Sequence, residues 1–205
     1  MCTEKQEEYS EELLPDEEEK SAGDKLVDII LEFVETIVLA VFAMILIMTF
    51  VIKIVNVKGS SMESTLYGGD KLILSSFMYV PEQGDIVVVN SSFMNETIIK
   101  RVIAVGGQTV KIDYNSGTVW VNDEVLDEPY IKEMMTDLDS FAKGIYNTAE
   151  GEYVYNVPAG SVFVMGDNRN HSTDSRVIGF IKTDEIIGKV VFRFYSSKGS
   201  AGRIK

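Results

Sequence analysis

This sequence predicts a mainly β fold: an antiparallel, barrel-like sheet domain with a smaller inserted β-rich subdomain, preceded by one membrane-spanning helix. Three observations predict it. Seven short segments rich in Val, Ile and aromatic residues are separated by Gly, Asn, Asp or Pro. One run, Thr36 to Ile52, holds seventeen residues without a charge. Acidic residues crowd the first 25 positions and thin out afterwards.

That acidic start is the first element. Residues 1–25 carry ten acids and three lysines, a net −7 out of −13 for the whole chain. With few large apolar residues they cannot bury enough surface to offset the entropy of ordering, so a disordered tail is expected. The strongly negative balance also argues against nucleic acid as a partner, because phosphate binding needs a basic face. The chain's single cysteine, Cys2, lies in this tail and has no second cysteine in the chain to pair with.

Next comes the apolar run, expected as an anchor helix over 26–55. Seventeen residues rise roughly 25 Å as a helix, and Phe33 and Val34 extend them toward the ~30 Å bilayer core. The run is long for the apolar part of a cleaved signal peptide, its flank is acidic, and no small-x-small exit follows. A retained anchor in the lipid bilayer is therefore expected. Basic residues near it are Lys20 and Lys25 before, and Lys53, Lys58 and Lys71 after, which leans weakly toward a cytoplasmic C-terminal part.

Residues 56–205 are long enough for a sizeable core. KLILSS, GDIVVVN, TIIKRVIAV, QTVKID, GTVWVN, SVFVMGD and GKVVFRFYSS read as strands, with Asn115 to Thr118 as a hairpin turn. The less regular stretch from about 107 to 157 reads as an insertion carried on the main sheet system.

Three segments carry chemistry. KGSSMESTLYGGD, Lys58 to Asp70, offers Ser60, Ser61 and Ser64 in a glycine-bracketed turn. A serine nucleophile needs a positioned base. In TIIKRVIAV, Thr97 to Val105, near-continuous apolar character implies burial on both faces, and each face carries one cation, Lys100 or Arg101. Arginine keeps its charge and must find a partner. A buried lysine can instead lose its proton, which would make Lys100 a base, although a lysine reaching out from a strand edge reads the same way. GDNRNHSTDSR, Gly166 to Arg176, packs Asp167, Asn168, His171, Ser172, Asp174 and Arg176 into a strand-end loop. Alone it fits a metal loop, a Ser-His site or a cluster of buried ion pairs. Metal is disfavoured because neither a cysteine nor a second histidine is available.

Taken in order, GSSMESTL, KRVIAVGG and GDNRNHSTDSR resemble the type I signal peptidases, membrane-anchored serine proteases with a Ser-Lys dyad. With the anchor and GDIVVV the resemblance spans roughly residues 30 to 195. It implies Ser61, the serine before methionine, as nucleophile and Lys100, the lysine before arginine, as general base. It also implies Ser172 as the residue orienting that lysine, and Asp167, Asp174 and Arg176 as structural support. Met62 is implied in the substrate cleft. The oxyanion hole is expected from the Ser61 N–H and a second backbone donor near Gly59, where some relatives offer a serine hydroxyl. Ser64 stands where the family usually has proline. Histidine serves as base in some relatives, but at the position of Lys100, whereas His171 fills a variable slot.

The substrates implied are secretory preproteins with small residues before the cut, and neither cofactor nor metal is expected. The implied location is the cell membrane, single-pass, with a cytoplasmic N-terminus and the catalytic domain on the outer face. This opposes the weak lysine count. Two rival functions are an inactive tethered relative that binds signal peptides without cutting, and a self-cleaving Ser-Lys protein.

Overall fold

The computed structural model describes residues 21–50, 52–136, 145–147 and 152–204. Most of the acidic tail expected over 1–25, Cys2 included, and part of the insertion expected over 107–157 lie outside the described residues.

The first element, α1 (Ala22–Phe50), has 29 residues, about 44 Å at 1.5 Å per residue. Leu31, Phe33, Val38 and Leu39 along it are all exposed, and none of its apolar window is buried against protein. From Thr36 onward the helix carries no charge, and such an apolar segment with no protein cover among the described residues is suited to lipid. It stops earlier than the anchor expected over 26–55, because Ile52–Asn56 forms a strand, β1. Ile52, Ile54 and Val55 are β-branched, and β1 pairs along its whole length with β2 (Lys71–Ser75), from Ile52 opposite Ser75 to Asn56 opposite Lys71.

The remaining strands follow as β3 (Ile86–Ser91), β4 (Glu96–Val105), β5 (Thr109–Asp113), β6 (Thr118–Val121), β7 (Glu124–Val125), β8 (Ile145–Asn147), β9 (Glu152–Asn156), β10 (Ser161–Met165), β11 (Ile181–Lys182), β12 (Ile186–Tyr195) and β13 (Gly202–Arg203), with a one-turn helix α2 (Ser175–Ile178) after β10. The main sheet runs β1-β2-β12-β3-β4-β10-β11, with β13 on β12. A second sheet, β7-β6-β5-β9-β8, is built entirely between residues 109 and 156. Every pairing is antiparallel. The mainly β, antiparallel expectation holds.

Strand β4 is the organising element. β3 pairs with its residues Glu96 to Arg101 on one side, while β10 pairs only with Arg101 to Val105 on the other. Among the described residues the first half of β4 therefore has an unpaired edge, as β1 does opposite β2. Its side chains feed three apolar clusters. Ile99 packs with Leu72, Ile86 and Val88, Ile98 and Val102 with Val87, Val162 and Val164, and Ile103 with Phe163, Met165 and the second sheet's Val110 and Ile112. Burial on both faces is what its unbroken aliphatic run demands.

Candidate active site

The serine-bearing turn is a closed loop leaving β1. Val57 donates to the Asp70 carbonyl at 2.8 Å and accepts from the Gly69 N–H at 3.0 Å, so residues 58–69 leave and return at one point. Met62 and Leu66 are buried and hold the loop down, with Leu66 N–H on the Met62 carbonyl at 2.8 Å. Gly59 sits at φ +78°, a conformation that favours glycine, and no atom lies within 4 Å of where a Cβ would be. Ser64, at the position where the resembled family usually has proline, has φ 94°, which a proline ring cannot adopt. Its hydroxyl donates to the Tyr130 carbonyl.

Lys100 reaches this loop from β4. Its Nζ donates to Ser61 Oγ at 2.7 Å. The lysine is 3% exposed, and among the described residues no carboxylate forms an ion pair with it. Burial pushes its amine below the usual lysine range. The charges of Asp174, Glu96 and Asp167 pull the other way and that of Arg176 adds to the depression. An uncharged amine against a serine hydroxyl is a proton acceptor in contact with a proton donor.

The loop after β10 braces both. At Gly166 a Cβ would fall 2.3 Å from Ser172 Oγ and 2.5 Å from the Ser61 carbonyl, so only glycine lets this backbone reach the serine turn. Asn168 then clamps that turn, its backbone N–H on the Ser61 carbonyl and its Nδ2 on the Ser60 carbonyl, both at 3.0 Å. Asp167 takes two bonds from Arg101, at 2.9 and 2.8 Å, and one from Thr65 Oγ1 at 2.6 Å. Asp174 caps α2 by accepting from the Arg176 N–H, and it also accepts from the Gly166 N–H at 2.9 Å and from Arg176 Nε at 2.8 Å. Burial alone would raise the Asp174 carboxyl, but the Arg176 charge and these bonds outweigh it and hold it below the usual range.

Some expected placements differ. Ser172 lies beside Gly166, but among the described residues its buried hydroxyl has no hydrogen-bond partner and makes no bond to Lys100. Met62, expected in the substrate cleft, is 2% exposed and packs in the core with Val57, Leu66 and Leu72. It is an apolar residue in a turn pinned to the sheet, and its side chain is taken up by the core. His171 is exposed at the groove rim, and among the described residues its ring makes no hydrogen bond. Among the described residues no cluster of His, Cys, Asp and Glu could hold a metal.

Sequence reasoning missed the segment 128–136. Glu128 pairs with buried Arg169, the Tyr130 ring lies 3.9 Å under the Arg101 guanidinium, and the Lys132 N–H donates to the Asp167 carbonyl at 3.1 Å. Lys132 Nζ meets Glu63 at 2.8 Å, and Asn170 holds Thr136 N–H and the Met134 carbonyl. These bonds strap the serine turn to the bracing loop. An irregular stretch without periodicity carries no signal of such partners.

Beside the Ser61–Lys100 contact runs a groove of about 730 Å³, lined by β1 residues Ile54 to Asn56, the Lys58 to Ser61 turn, Met94, β4 residues Glu96 to Lys100, His171 and Thr173. Both unpaired strand edges face it.

Residues 30–195 match the family described as signal peptidase, peptidase S26. Signal peptidase IB of Staphylococcus aureus strain COL is 34% identical over 174 residues, covering 81% of this chain and 90% of that protein. Signal peptidase I of Bacillus licheniformis is 35% identical over 182 residues, 87% of this chain and 94% of that one. A crystal structure of a signal peptidase I from Enterococcus faecalis V583 aligns with a TM-score of 0.42 at 29% identity, covering 55% of this chain and 97% of that chain.

Proposed function

The chain belongs to the signal peptidase family, peptidase S26, membrane-anchored serine peptidases that remove signal peptides, and from that premise we propose that Ser61 and Lys100 are its reacting pair. The observation that carries this reading is the 2.7 Å contact between Ser61 Oγ and a lysine that is almost wholly buried and lacks an ion-pair partner among the described residues.

Ser61 Oγ attacks the carbonyl carbon of the scissile bond as its proton passes to Lys100 Nζ. The ammonium so formed protonates the leaving amine, and the neutral lysine then draws a proton from water to release the acyl-enzyme. The oxyanion is met by the Ser61 N–H, which makes no hydrogen bond among the described residues, and by a second backbone donor at the Gly59–Ser60 turn. Gly166, Asn168, Asp167, Asp174 and Arg176 hold the two loops so that the pair meets without rearrangement.

The substrate is an extended peptide. The free edges of β1 and β4 can both hydrogen-bond a strand laid between them, and the β-branched and methionine lining suits small apolar residues before the cut. The preprotein's own apolar segment shares the bilayer with α1, so enzyme and substrate meet on one surface. The N-terminus lies in the cytoplasm and the domain on the outer face, where secreted chains emerge.

Full-length protein in detergent, given a preprotein with an Ala-x-Ala site, is expected to cut it after the second alanine. Ser61→Ala and Lys100→Ala should each lose about 10²–10⁴-fold or more in kcat/KM, while His171→Ala stays within a few-fold of wild type. Near-normal turnover by a folded Lys100→Ala would place the base elsewhere.

A further inference from the structure

The reading above gives a part to one ionisable side chain of the groove, Lys100. The ionisable groups lining it are Lys58, Glu96, Lys100 and His171. Lys58 lies in the serine turn, His171 belongs to the bracing loop, and Glu96 is the one acid among these described residues. Glu96, the first residue of β4, stands at the opposite end of the strand's free edge. It is exposed, and no side chain among the described residues bonds it.

Distance along the strand gives Glu96 a register. Four residues separate it from Lys100, about 13 Å at roughly 3.3 Å per residue. A peptide bound in extended form along this edge advances by the same step. With its scissile carbonyl at Ser61 and Lys100, its fourth to fifth residue from the cut lies beside Glu96. That stretch belongs to the signal-peptide side. Mature chains begin differently from one preprotein to the next, so a built strand edge has nothing constant to read there. Ile54, Val55, Met94 and Ile98, which line the groove, suit an apolar leader.

Resting on the signal-peptidase reading, we propose that Glu96 is a specificity-determining residue that reads charge at the fourth and fifth residues before the cut, favouring Lys or Arg and disfavouring Asp or Glu. The groove is open to water, so the discrimination is that of an exposed pair, about two- to five-fold in kcat/KM, and it weakens as salt screens it.

The test is a set of substrates, each with Lys, Gln or Glu at one position from the second to the seventh before the cut, processed by the full-length protein and by Glu96→Gln and Glu96→Lys. Wild type should prefer Lys over Glu by about two- to five-fold at the fourth and fifth positions and be flat elsewhere. Glu96→Gln should flatten the profile, Glu96→Lys should invert it, and 0.5 M salt should shrink it. Because Glu96 also acts on Lys100 through its field, either variant can change the rate on every substrate alike. The ratio between substrates is free of that effect. A profile flat in wild type, or a preference that survives Glu96→Gln, overturns the proposal while leaving the peptidase reading standing. Failure of wild type to cut any substrate overturns both.

Discussion

Two cations stand side by side on β4 and face opposite ways, and the two faces treat them differently. Lys100 and Arg101 are buried almost equally, 3% and 2% exposed. On the Arg101 face, Asp167 takes two bonds from the guanidinium, the Gly84 carbonyl accepts a third at 2.9 Å, and the Tyr130 ring covers its plane. On the Lys100 face the partner is a serine hydroxyl, and the carboxylates act only through their fields. Burial of equal depth thus yields a permanent ion pair on one side and a displaced proton equilibrium on the other. The difference lies in the side-chain chemistry: a guanidinium cannot give up its proton and must be paired, whereas an amine can. One face is built for rigidity, and the other holds a group poised to accept a proton.

The sharpest way to break this comparison is to remove each cation while keeping its bulk. Arg101→Met leaves Asp167 buried without its counter-charge and should cost about 3–5 kcal/mol of stability in urea or thermal unfolding of the full chain. Lys100→Met leaves no carboxylate stranded and replaces a buried amine by an apolar chain. It should be neutral or gain about 1 kcal/mol near neutral pH while abolishing cleavage. If both variants lose several kcal/mol, Lys100 is part of the structural scaffold and the contrast between the faces fails.

Acidity sharpens the same comparison. Burial lowers the Lys100 pKa from the ordinary value of about 10.4, and in the proposed mechanism the neutral amine is the working form. The kcat/KM should therefore fall about tenfold per pH unit below the folded-state value, which lies on the acid side of a free lysine. The sign for stability follows from proton counts. Between the lowered folded value and the ordinary one, the unfolded chain binds more protons than the folded chain. Stability thus rises with pH through that window and loses this contribution as pH falls. Lys100→Met should erase that slope, and Arg101→Met should leave it.

The legible part of this molecule was what periodicity and short-range chemistry encode. The unbroken aliphatic run of β4 announced burial on both faces, and with it the problem of two buried cations. The alternation of strands and Gly or Asn turns marked the sheets. That Ser61 and Lys100 touch was not readable from spacing, because they stand 39 positions apart with strands β2 and β3 between them. The resemblance of three motifs pointed to it. Ile52, Ile54 and Val55 follow the helix's apolar run with only Lys53 to interrupt it, and pairing with β2 makes them a strand. The strap over 128–136 stayed hidden because each of its bonds joins residues far apart in sequence, Glu128 to Arg169 being 41 residues. Met62 lies in a turn, where no period tells inside from outside.

Ser172 is the finest remaining test of the contrast between the two faces. Its hydroxyl sits buried beside Gly166, without a hydrogen-bond partner among the described residues. A buried hydroxyl without a bond costs stability, so removing it should leave the fold as stable as before or slightly more so. If its place is to meet Lys100 once the amine has taken the Ser61 proton, then the bond exists only in the charged intermediate. Ser172→Ala should then lower kcat by about three- to tenfold, the weight of one hydrogen bond, with KM and unfolding midpoint unchanged. Ser172→Thr, keeping the hydroxyl, should recover part of the loss if the pocket admits the methyl. A fall in stability matching the fall in rate would make Ser172 a packing residue. An unchanged kcat would leave Lys100 oriented by Ser61 and the walls of its own burial.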